Sequence, residues 1–116
     1  MASPTAIDAA RNLDSIQFQG YDGAAFGNSS VIQAASEGAW TTSDHSGSLQ
    51  FYTTAGLVSS EKMRITSAGY VGIGTTNPQA LLHVDASTTP LGLPLLLTQS
   101  TGSGAMLELA DRRNAG

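Results

Sequence analysis

Any chemistry in this chain has to come from a small set of residues. The stretch Gly69-x-x-Gly72-x-Gly74-Thr75 is the nearest approach to a phosphate-cradling loop. It is neither GxGxxG nor GxxxxGK[ST], carries no lysine after its last glycine, and runs into Asn77-Pro78 rather than into a helix whose N-terminus would hold an anion. His45 and His83 are the only histidines, and neither has a second His or Asp at metal-ligand spacing, so no metal site is expected. There is no GxSxG elbow and no cysteine, and the serines fall in turn clusters. Glycan cleavage would need two of Asp14, Asp22, Glu37, Asp44 and Glu61 to converge in one cleft, whereas carboxylates scattered through turns are ordinarily solvated. The expectation is a chain that is not an enzyme and needs no cofactor. One combination suits recognition instead: Trp40 with Asp44 and His45 sets an aromatic face beside polar groups, the pairing that grips a sugar ring. Packing of Trp40 or Phe26 between chains is the competing reading.

The elements that position these residues follow from composition and pattern. Charged residues make up 12% of the 116, about half the usual share, yet 41% are hydrophobic and the net charge is only −4. Disorder would call for fewer aliphatic side chains and more net charge, so something buries them. Five basic residues, with only Arg112 and Arg113 adjacent, leave no electrostatic footprint for nucleic acid. The longest apolar run, residues 91–97, is broken by Gly92 and Pro94 and falls far short of the roughly 20 residues that span a bilayer, so membrane insertion is not expected. The opening MASPTAIDAARN lacks a basic n-region and an apolar h-region, which points to assembly in a cytoplasm.

Only residues 5–13 offer a short helix; elsewhere glycine, proline or β-branched residues interrupt every helical face. What recurs is apolar–x–apolar closed by a polar cluster. It predicts short strands at Ile16/Phe18, Ile32/Ala34, Leu49/Phe51, Met63/Ile65, Val71/Ile73, Leu82/Val84, Leu95/Leu97 and Leu107/Leu109. Turns are expected at residues 20–23, 27–29, 46–48, 67–69, 76–78 and 101–104. Two inward side chains per strand gain about 3–6 kcal/mol, while ordering the residues of each strand and turn opposes this by about 1–2 kcal/mol apiece. One chain alone has a poor balance, and short strands leave edges that must be closed, stacked or intertwined.

Residues 61–84, running Glu61-Lys62-Met63-Arg64-Ile65 through Gly69-Tyr70-Val71-Gly72-Ile73-Gly74-Thr75-Thr76-Asn77-Pro78 to Leu82-His83-Val84, carry a specific pattern. It resembles the MRIxxxGxVGIGTxxPxxxLHV segment of bacteriophage tail fibres and related trimeric fibre proteins, which is often found upstream of a C-terminal intramolecular chaperone domain. Upstream, Ile16-Gln17-Phe18-Gln19-Gly20-Tyr21-Asp22-Gly23, Ile32-Gln33-Ala34, Trp40-Thr41 and Leu49-Gln50-Phe51-Tyr52 follow in the same order, so the resemblance covers about residues 13–85. Nothing here matches the chaperone with its self-cleaving serine and lysine.

The resemblance implies an all-β, elongated, intertwined homotrimeric shaft, of triple β-helix or β-prism type, in which three copies complete the missing core. Its trimer core is assigned to Ile16, Phe18, Leu49, Phe51, Met63, Ile65, Val71, Ile73, Leu82 and Val84. Residues 1–12 are expected to be an attachment or flexible segment, 13–85 the shaft module, and 86–116 the start of a following, truncated β module. The implied function is structural: a virion tail-fibre shaft supporting host-cell attachment, with other virion proteins and a cell-surface glycan (Trp40, Asp44, His45) as partners. A head fibre or capsid decoration protein is the alternative, and a glycan-cleaving tailspike segment a more distant one.

Overall fold

A computed structural model describes residues 11–87 and Leu95. The described residues contain no helix; they form one open six-stranded sheet in the order β1-β2-β3-β4-β5-β6. The strands are β1 (Asn12–Tyr21), β2 (Phe26–Ser36), β3 (Gly47–Ala55), β4 (Val58–Ile65), β5 (Val71–Ile73) and β6 (Leu82–Val84). Neighbours are antiparallel through β5, and β6 returns parallel to β5.

The six expected strand centres within residues 11–87 all lie in strands, but β1 to β4 run for 8 to 11 residues and are longer than the short segments anticipated. The physical reason is that serine, threonine and asparagine continue a strand wherever a neighbour takes up their backbone groups. Gly27-Asn28-Ser29, expected as a turn, is instead inside β2, with Gly20 facing Gly27, Gln19 facing Asn28 and Ser29 absorbed in a register shift. Asn12 and Leu13, the end of the expected short helix, open β1. Leu95 is exposed and outside any strand. Leu97, Leu107, Leu109, the turn at 101–104 and the helix over residues 5–10 lie outside the described residues.

Two tight turns join the long strands. Asp22 closes the β1–β2 hairpin by accepting the N–H groups of Ala24 and Ala25 at 2.7 and 2.8 Å, and these bonds hold its carboxyl below the usual carboxylate range. Gly56, at φ 62°, turns β3 into β4. The parallel β5–β6 step needs a crossover, and residues 74–81 make it in a single short loop where a dozen residues or more is usual. The loop lies against Gly72, where an added Cβ would come 2.7 Å from the Thr75 carbonyl oxygen and 3.5 Å from the Pro78 side chain. Gly74 leaves β5 at φ 75°, and a Cβ added there would run into the Asp85 carbonyl oxygen. The glycine-rich run is thus accounted for by close approach within one chain.

Candidate functional site

Side chains alternate across a pleated sheet, and cross-strand partners share a face. The register therefore traces one row through all six strands: Ile16, Ile32, Phe51, Met63, Ile73, Val84. A second row beside it runs Asp14, Ala34, Leu49, Ile65, Val71, Leu82. Phe18, two residues beyond Ile16, extends the same face. All ten side chains assigned to the trimer core thus stand on one side of one sheet, joined by Ile32, which the sequence placed in a strand but not in that core.

Among the described residues nothing covers this face. Ile16 and Leu82 are each 61% exposed, and the buried apolar side chains of Ala35 and Pro78 line the groove on the other side of the sheet. A stable domain packs at least two layers around its core, and one sheet with an open apolar face is half of such an arrangement.

The opposite face is polar and tightly bonded. Gln33, Gln50 and Arg64 face one another in register across β2, β3 and β4. The Gln33 Nε2 donates to Asn12 Oδ1 at 2.9 Å and to Gln50 Oε1 at 3.0 Å. Gln50 Nε2 donates to Ser48 Oγ at 3.1 Å, and the Tyr52 hydroxyl donates to Gln50 Oε1 at 2.9 Å. Arg64 forks onto Glu61, Nε to Oε1 at 2.6 Å and Nη2 to Oε2 at 2.7 Å. Residues three apart on a regular strand point to opposite faces. Here the register shift opposite Phe51 and Tyr52 inserts Lys62 as an extra residue, which turns Glu61 and Arg64 to the same side. The Glu61 hydrogen bond raises the Arg64 pKa further. Desolvation, followed by the Glu61 charge, pushes the Tyr52 phenol above its ordinary value and keeps it a hydrogen-bond donor.

Trp40, Asp44 and His45 do come together, in the β2–β3 connection. The indole and imidazole centroids are 4.9 Å apart with the rings tilted by 50°. Trp40 is half-buried and donates its Nε1–H to the Ser46 carbonyl at 3.1 Å. Asp44 Oδ1 accepts from the Ser46 hydroxyl at 2.5 Å and from the Ser46 N–H at 2.9 Å, which lowers its pKa, the hydroxyl contributing most. The Trp40 Nε1–H and Asp44 Oδ1 are thus already engaged in bracing their own loop. His83 is half-buried on the polar face and accepts the Gln79 N–H on Nδ1 at 3.3 Å. Among the described residues no three His, Cys, Asp or Glu side chains gather as metal ligands.

No family model matches this chain, and no curated protein matches it.

Proposed function

We propose that this chain is a structural, non-enzymatic segment of a trimeric fibre, a tail-fibre shaft on a bacteriophage particle that carries a host-attachment apparatus. One observation carries the reading: an apolar face continuous across six strands, which the described residues leave open. In the trimer the three sheets turn these faces to a common axis, so that Ile16, Ile32, Phe51, Met63, Ile73 and Val84 of each copy contribute to one shared layer. The polar faces then point outward, and the fibre presents amides, hydroxyls and ion pairs to water. A slender assembly of this kind transmits position and load, not chemistry. The tail-fibre assignment itself rests on the resemblance of residues 13–85.

Light scattering on purified protein tests the architecture. Three times the 11.9 kDa of one chain is expected for the scattering mass, and a folded, stable monomer would overturn the proposal. Labelling of the chain on intact particles is expected to place it in the tail fibres, and label found on the head would overturn the tail assignment alone.

A further inference from the structure

The polar face carries a groove with a volume of about 540 Å³, which the shaft architecture does not use. Its floor is the amide ladder of Gln33 and Gln50 with Tyr52 and Arg64, and its far wall is the crossover loop at Asn77 and Pro78. We infer that this groove binds a segment of neutral, polyhydroxylated ligand, that is, a neutral oligosaccharide.

The argument runs from what the lining groups can still do. Gln33, Gln50 and Tyr52 are fixed by bonds to one another and to Asn12 and Ser48, so the floor is rigid before any ligand arrives. Around it, three donors are left over. The Arg64 fork uses Nε and Nη2, and no described residue accepts from Nη1. The Asn77 backbone is engaged by Thr75 and Gln79, whereas its side-chain amide meets no described partner. Asn12 accepts through Oδ1 and keeps its Nδ2 protons. A ligand that fits must supply several acceptors at once, and hydroxyl groups also donate in return.

Charge decides between classes. Arg64 is neutralised by Glu61, and Glu37 adds a further negative charge at the rim, so an anionic ligand meets net repulsion. A cation finds both carboxylates occupied, Glu61 by Arg64 and Glu37 by the Ser67 N–H and hydroxyl. An apolar ligand would strand the amide and hydroxyl groups without water. Neutral hydroxyls satisfy every constraint. The groove is built within one chain, so the inference stands apart from the trimer.

Isotope-labelled protein titrated with maltohexaose, cellohexaose and hexa-N-acetylchitohexaose tests it, each up to about 10 mM, where a Kd near 1 mM is close to saturation. The side-chain amide resonances of Gln33, Gln50 and Asn77 are expected to shift with at least one sugar and to stay in place with trigalacturonic acid. Asn77→Ala removes a side chain that bonds to nothing described in the fold, and should weaken binding about three- to tenfold, the value of one neutral hydrogen bond. Ser59→Ala, away from the groove, should leave it unchanged. No amide shift with any of the three sugars, shifts confined to Trp40 and His45, or equal binding by Asn77→Ala would each overturn the inference. Scattering mass read on the same sample reports the assembly separately.

Discussion

Ile73→Asp separates a covered apolar face from an open one. Ile73 stands in the row that crosses all six strands, between Met63 and Val84, and is 40% exposed in the single chain. Full burial of an isoleucine side chain is worth about 1.5–3 kcal/mol, so a chain that stays alone can lose only about 1–2 kcal/mol when Ile73 goes. In a trimer the rest of that surface is buried too, and three carboxylates meet in one apolar layer. Desolvation and like-charge repulsion then act together, and the loss should reach about 4 kcal/mol or more per chain. The same forces raise the pKa of the introduced carboxyl, so acidification should restore part of the assembly. Ser59→Asp is the matched control: Ser59 is exposed, and the change should stay within about 0.5 kcal/mol. Thermal melting with scattering mass at several protein concentrations reads both. Equal melting shifts for the two variants, with mass unchanged, would refute the claim that this face is covered.

Gly74→Ala should be more destabilising than Gly56→Ala, although both glycines have φ between 60° and 80°. Both pay about 1–2 kcal/mol for left-handed backbone, but only at Gly74 does the new Cβ meet a carbonyl, that of Asp85, so a smaller melting shift at Gly74 would contradict the crossover geometry. Asp22, Asp44 and Asp85 all titrate below the usual carboxylate value through hydrogen bonds accepted in the fold. Their contribution is complete above the unfolded pKa near 3.9 and is lost as pH falls through the lower folded values. Melting temperature should therefore fall below about pH 4, and less steeply in Asp22→Asn than in the wild type. Trp40→Ala should remove the bond to Ser46 and the contact with His45, a loss of about 1–2 kcal/mol by thermal denaturation. An unchanged melting temperature would show that the indole is free to serve a ligand.

Face membership was legible in the sequence, because alternation has a period of two and strand pairing preserves it. Ile16 and Phe18, Leu49 and Phe51, Met63 and Ile65 each declare a shared side without any knowledge of the partner strand. Strand length was less legible. Gly27-Asn28-Ser29 has the composition of a turn, yet it continues β2 because β1 lies alongside to take up its backbone groups, a long-range fact that local propensity cannot contain.

The polar face was decided by tertiary structure alone. Glu61 and Arg64 share a side only because Lys62 is an extra residue against β3, and nothing in the local sequence announces that register shift. The Gln33–Gln50 ladder requires β2 and β3 in one particular register, and Asn77 joins the groove only because eight residues carry the chain across the sheet to lay β6 beside β5. The period-two pattern fixes which way a side chain points; which other side chain it meets depends on pairings far apart in the chain, and those are set when the backbone closes its hydrogen bonds.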